Sequence, residues 1–208
     1  MKLIRLVWLL TLLLFSMVVQ AGYDEGIEYR KLAVPLITPA PGKIEVLEFF
    51  WYGCPHCYRF EPELHAWLKN RPSNVVFVRV PATFNPRWAF HAKVYYTARV
   101  LGVEDKMTPV IFEAMHVKKQ KLATLEEVKA LFEANGVAAA DFDKAFGSFA
   151  VDASLRRATD LTRRSGIDGV PALIINGKYM TTGTMAGGNK GMLRVADYLI
   201  KKESARGQ

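Results

Sequence analysis

The only two cysteines of the chain, Cys54 and Cys57, stand in the stretch Phe49-Phe50-Trp51-Tyr52-Gly53-Cys54-Pro55-His56-Cys57. Upstream, residues 44–51 are apolar on both alternating faces, Val46 and Phe50 on one and Leu47, Phe49 and Trp51 on the other. That is the pattern of a strand covered by helices on both sides. Downstream, the pattern becomes helical from about residue 54 to 69, with Pro55 suited to the first helical position. A cysteine pair at a strand-to-helix junction restricts the fold to one that presents a helix N-terminus at the end of a buried strand. Residues 75–80 read as a further strand, so the stretch forms a βαβ unit. Pro62 falls inside the helix and removes one of its hydrogen bonds.

The chemistry follows from the spacing. A Cys-x-x-Cys bridge closes a minimal loop and contributes little as a structural staple, because disulfide stabilisation grows with loop length. Zinc needs about four ligands. The motif supplies two, and His65, His91 and His116 are not paired at metal spacing. Haem attachment needs histidine after the second cysteine, where this chain has Tyr58. Two buried inert thiols or a dithiol–disulfide redox centre remain, and the reactivity of a thiol at a helix N-terminus favours the redox centre. At the helix start, Cys54 meets unpaired backbone N–H groups and the positive end of the helix dipole, which favour its thiolate. The side chains at 55 and 56 then bias the direction of exchange. Cys57, one turn in, is expected to be the more buried, resolving thiol, and Cys54 the exposed sulfur that a substrate thiolate attacks.

Two further residues carry chemical interest. Glu48 interrupts the Val46/Phe50 face of a buried strand, and a dry, unpaired carboxylate there is costly. It is either a strand-end group reaching water or a lysine, or a proton acceptor beneath the motif that serves Cys57. Val170-Pro171 opens a later strand, and spacing alone does not assign its isomer.

The rest of the chain divides by pattern. Residues 29–34 suit an edge strand, and 35–41 a turn-rich link. Asn85-Pro86 caps a helix ending near residues 101–102, and Thr108-Pro109 caps another. Thr124-Leu125-Glu126-Glu127 is a capping box for a third, closed by Asn135-Gly136. Residues 141–146 form a short fourth, and about 149–164 a long helix ending at Gly166. Residues 171–176 and 178–180 then read as a hairpin with Asn176-Gly177 as its turn. A last amphipathic helix spans 190–202, and only residues 203–208 look disordered. The expected architecture is α/β, with a small domain (22–82 and 149–208) interrupted by an all-helical insertion (83–148).

Lys2 and Arg5, an uncharged apolar run at 6–19 and Val19-Gln20-Ala21 have the layout of a secretory signal peptide over residues 1–21, cleaved after Ala21. Export would place the protein where disulfides persist. The signal carries two of 28 basic residues and none of 20 acidic ones, so the mature charge is 26 − 20 = +6. The basic residues are scattered, which argues for solvated faces and not for nucleic-acid binding.

With these pieces placed, the mature chain resembles the DsbA family of periplasmic thiol:disulfide oxidoreductases. The match rests on Glu48-Phe49-Phe50, Cys54-Pro55-His56-Cys57-Tyr58, Phe60-Glu61, Leu101-Gly102-Val103-Glu104-Asp105-Lys106, Gly169-Val170-Pro171-Ala172 and Asn176-Gly177-Lys178-Tyr179. The resemblance implies a thioredoxin fold interrupted by an inserted helical domain. It makes Pro171 a cis-proline facing the disulfide and Glu48 a buried acid, with Val170, Pro171 and His56 touching substrate. It implies donation of the Cys54–Cys57 disulfide to reduced, unfolded exported proteins in the periplasm of a Gram-negative bacterium. Reoxidation would come from a DsbB-like membrane protein linked to quinone. No metal and no cofactor is implied. Arg79 stands where the family often has a lysine near the buried acid, and Pro62 is not a feature of its motif. Two rivals are a periplasmic disulfide isomerase or reductase and a non-catalytic peptide-binding chaperone. Residues 22–43 are too short for the dimerisation domain of such isomerases, which favours a monomer.

Overall fold

The structure, a computed structural model, describes residues 22–38 and 42–206. The signal-peptide reading of 1–21 and part of the 35–41 link lie outside the described residues. Five strands, β1 (Arg30–Lys31), β2 (Ile44–Phe50), β3 (Val75–Pro81), β4 (Ala172–Ile175) and β5 (Tyr179–Thr182), form one sheet in the order β1-β5-β4-β2-β3. β2 runs parallel to β3 and antiparallel to β4. All seven residues of β2 are buried, as its two-faced apolar pattern requires.

Seven helices accompany the sheet among the described residues: α1 (Pro55–Asn70), α2 (Pro86–Val100), α3 (Glu104–His116), α4 (Leu125–Glu133), α5 (Ala139–Phe146), α6 (Phe149–Ser165) and α7 (Asn189–Arg206). Every element between β3 and β4 is helical. Phe60 and Leu64 of α1 pack with Val46, Leu173 and Leu199 on one side of the sheet. On the other side Leu47 and Phe49 join Ile111, Phe112, Phe132 and Phe142, so the helices after β3 share a core with the sheet.

Local signals explain most boundaries. Asn85 accepts a hydrogen bond from the Trp88 N–H at the start of α2, and Thr124 and Glu127 form the reciprocal capping box of α4. Gly166, at φ +62°, ends α6 in the left-handed region that glycine tolerates best. Asn176 and Gly177 both have positive φ, as a tight hairpin turn demands.

Two expectations fail. Thr108-Pro109 does not start a helix but lies inside α3. The helix begins earlier because Gly102 breaks α2 at φ +69° and Glu104 and Asp105 occupy the first turn of α3, where acidic side chains favour the helix dipole. Thr108 is buried there, its hydroxyl 3.3 Å from that of Tyr52. The chain from residue 203 to residue 206 is also not loose. α7 runs to Arg206, and buried Glu203 accepts from Asn176 at 2.7 Å and from Lys178 at 2.5 Å, tying the helix end to the hairpin turn.

Candidate active site

β2 ends at Phe50, and the chain turns through Trp51, Tyr52 and Gly53 before α1 begins. The turn closes where the Cys54 N–H donates to the Trp51 carbonyl at 3.0 Å. Cys54 is the residue that precedes the first helical turn, with extended backbone angles (φ −89°, ψ 115°), and Pro55 follows at the first helical position. Cys54 and Cys57 come within 3.5 Å of each other.

The two sulfurs differ in kind. Cys57 is fully buried, while Cys54 keeps 8% of its surface. Cys54 is therefore less open than expected, because the Val170 carbonyl lies 3.4 Å from its Sγ. A hydrogen bond from the Cys57 thiol is the main influence that brings Cys54 down to about 6. The backbone N–H groups of Cys57 and His56 and the charge of His56 add to it, against the opposing effect of burial. Cys57 is pushed well above the usual thiol range by burial, by Cys54 and by the negative charge of Glu48.

The Val170–Pro171 peptide bond is cis. Beside it opens a cleft of about 570 Å3 lined by Arg30, His56, Asp168, Val170, Met180 and Met185, among others. His56 is exposed, and its Nδ1 lies 3.0 Å from Arg59.

Beneath the motif Glu48 is completely buried. The Arg79 Nε donates to its Oε2 at 2.9 Å, and the other arm of the guanidinium donates to Glu61 at 2.6 Å. Glu48 Oε1 is buried without a hydrogen-bond partner. Burial raises Glu48 to about 7, Arg79 pulls it down, and the charge of Glu61 pushes it up. The arginine at 79 thus does engage the buried acid. Sequence reading left Glu61 without a role. Its signal was present, since Cys57, Phe60, Glu61 and Leu64 make one buried stripe of α1, and a carboxylate on such a stripe calls for a partner.

Cys54, Cys57, His56, Val170 and Pro171 therefore converge at one end of the sheet, with Pro55 opening the helix and Glu48 below. Trp51 is half-buried, stacked on Trp88 with ring centroids 4.3 Å apart. Among the described residues, no group of three or more His, Cys, Asp and Glu is placed to hold a metal ion.

A family model described as a DSBA-like thioredoxin domain matches residues 78–199. The chain is 42% identical over 193 residues to the thiol:disulfide interchange protein DsbA of Pseudomonas aeruginosa, an alignment covering 92% of each. It is 44% identical over 178 residues to that of Azotobacter vinelandii, covering 86% of this chain and 83% of the other. The crystal structure of Pseudomonas aeruginosa DsbA superposes with a TM-score of 0.85 at 42% identity, covering 88% of this chain and 96% of that one. That of the Xylella fastidiosa oxidoreductase DsbA gives 0.83 at 32% identity, covering 89% and 100%.

Proposed function

The chain belongs to the DsbA family of thiol:disulfide oxidoreductases, and from that premise we propose how its own residues perform the exchange. The protein is a disulfide oxidase with a thioredoxin fold, and its Cys54–Cys57 disulfide is the group donated. Its isomerase, reductase and chaperone rivals are not favoured by these relatives. The observation that carries the mechanism is the asymmetry of the pair, Cys54 brought down to about 6 and Cys57 pushed up.

A substrate thiolate attacks Cys54 Sγ, forming the mixed disulfide and breaking the Cys54–Cys57 bond, and Cys57 leaves with the electron pair. Its raised pKa makes it take up a proton at once. A second substrate thiolate then attacks the first substrate sulfur. The substrate disulfide forms and Cys54 leaves as a thiolate, so two electrons have passed from substrate to protein. A low thiol pKa makes Cys54 a good leaving group and stabilises the reduced protein. At pH 7 an ordinary thiol is protonated, so the gain there is roughly tenfold, about 1.4 kcal/mol or ~30 mV.

Glu48, with its pKa near neutrality, is suited to hold and pass the proton that Cys57 gains and loses. The Val170 carbonyl, Pro171 and His56 edge the cleft beside Cys54, and in this reading they align the substrate backbone. We take 22–82 and 149–208 as the thioredoxin unit and 83–148 as its helical insertion. Residues 1–21 are read as a signal removed after Ala21, the working place as the periplasm, and the active form as a monomer. Each turnover leaves the pair reduced, so an electron acceptor is needed, and a DsbB-like quinone-linked membrane protein fits that need.

The test is oxidation of a reduced, unfolded protein by the oxidised enzyme. The rate should exceed the uncatalysed one and vanish in Cys54→Ser. Full activity in that variant would sink the mechanism.

A further inference from the structure

Trp51 is bound into the active-site turn at three points. Its carbonyl accepts from the Cys54 N–H. Its own backbone N–H meets the Cys57 sulfur. Its indole lies on Gly53 so closely that a Cβ there would sit 2.3 Å from the ring. The position of this indole is thus the position of the turn that carries both cysteines.

What holds the indole comes from α2. Trp51 Nε1 donates to His91 Nδ1 at 2.9 Å, and His91 Nε2 lies 2.9 Å from the Leu122 carbonyl. His91 is only 3% exposed. An indole nitrogen can only donate and a carbonyl can only accept. The partners therefore demand one form of the ring, neutral, with its proton on Nε2. A second proton on Nδ1 would set N–H against N–H, and the Trp51 bond would break.

The surroundings oppose that proton. Burial holds His91 below its ordinary range, against the opposing pull of the Leu122 carbonyl, and the positive charge of Arg87, one turn earlier on α2, adds to the lowering. Arg87 itself reaches the Lys121 carbonyl beside Leu122 at 3.5 Å and lies over the Trp51 ring. Trp88 stacks on the Trp51 ring, and the Phe90 ring lies 5.8 Å from that of His91. Among the described residues no carboxylate acts on His91.

We propose that His91 is a positioning residue for the redox centre, a one-proton latch by which the helices after β3 hold the Trp51–Gly53 turn in its working place. The latch is closed while His91 is neutral and opens when it gains a proton, so the turn loosens on acidification. It does not touch the reacting sulfurs and acts through Trp51.

The experiment follows the indole N–H resonance of Trp51 in the 15N-labelled, oxidised mature protein, in which neither Cys54 nor Cys57 titrates, from pH 8 to pH 5, assigned by its loss in Trp51→Phe. It is paired with the pH profile of substrate oxidation in wild type and His91→Gln, each scaled to its own rate at pH 7.5. Glutamine can accept and donate but does not titrate in this range. The expected result is a Trp51 resonance that shifts below pH 6.5 in wild type and stays flat in His91→Gln. The scaled rate at pH 5 should be at least threefold higher in the variant. A pH-invariant resonance in wild type overturns the proposal, and so do superimposable rate profiles. The rate comparison rests on the oxidase reading, whereas the resonance does not, so failure of one is distinguishable from failure of the other.

Discussion

Arg79 donates its Nε hydrogen to Glu48 Oε2 across 2.9 Å, pairing the edge strand with the buried strand that leads to the active site. The same guanidinium holds Glu61. Removing it in Arg79→Met leaves Glu48 without its cation and Glu61 with only the His65 ring, at 3.3 Å. The expected loss is about 3–5 kcal/mol of stability at neutral pH. Much of it should return on acidification, because protonated carboxyls no longer need the arginine. Denaturant unfolding at pH 7.5 and pH 5 checks this, and an Arg79→Met protein as stable as wild type at both would count against it.

Glu48 gives stability a slope with pH of its own. Its carboxyl is raised from 4.5 to about 7 in the folded protein, so the native state binds more protons than the unfolded one between those values. That contribution is fully present below 4.5 and is lost as pH rises through about 7. It amounts to roughly 3 kcal/mol at ~1.4 kcal/mol per pH unit. Glu48→Gln should flatten the decline across this window. A slope unchanged in the variant would show that other groups set it.

Cys54 titrates in the opposite sense. With its pKa lowered from 9.0 to about 6, the thiolate stabilises the folded, reduced protein above the ordinary thiol range, and this is lost as pH falls through about 6. Alkylation of the reduced protein should be selective for Cys54, with half-maximal rate near pH 6.

The Cys57→Ala variant should show two effects together. The largest influence lowering Cys54 is the hydrogen bond from the Cys57 thiol, so the alkylation profile of Cys54 should move to higher pH. When the variant meets a disulfide-bonded substrate, the Cys54 thiolate should displace one substrate sulfur as a thiolate, and the mixed disulfide should accumulate, since no Cys57 thiol is left to resolve it. Mass spectrometry that finds no such adducts contradicts the assignment of Cys54 as the attacked sulfur.

Gly53→Ala tests the packing of the turn. The added methyl would meet the Trp51 ring at 2.3 Å, so the indole must move off His91 or the turn must shift. A loss of about 1–3 kcal/mol is expected from overpacking, with a displaced Trp51 indole resonance. Unaltered stability and resonance would mean that the turn yields freely.

The pattern of residues discloses β2, α1 and the hairpin because their signals are local: a two-faced apolar run, a proline at the helix start, an Asn-Gly turn. Thr108-Pro109 misleads because it imitates a helix start while Gly102 and the acidic pair at Glu104-Asp105 had already begun α3. The motif itself marks Cys54 and Cys57, and Glu48 stands out as a carboxylate in an apolar strand. The Arg79 bridge to Glu48 and Glu61 needs the register of β2 with β3, which pairs Glu48 with Arg79. The covering of Cys54 by Val170 and the grip of His91 on Trp51 join residues 116 and 40 positions apart. Nothing in either segment alone announces the other.

The order in which the sheet can close has a consequence for the chain as it is made. β4 lies between β2 and β5 and pairs Glu48 with Leu173, yet it is synthesised only after all the helices from α2 to α6. Until then β2 has β3 as its neighbour but an open edge on the other side, and Cys54 has no Val170 above it. A growing chain therefore carries both thiols uncovered, beside an unpaired apolar strand, through most of its synthesis. The stretch that shields the redox pair emerges only after α2 to α6, so until then the protein is itself an unfinished polypeptide with accessible cysteines.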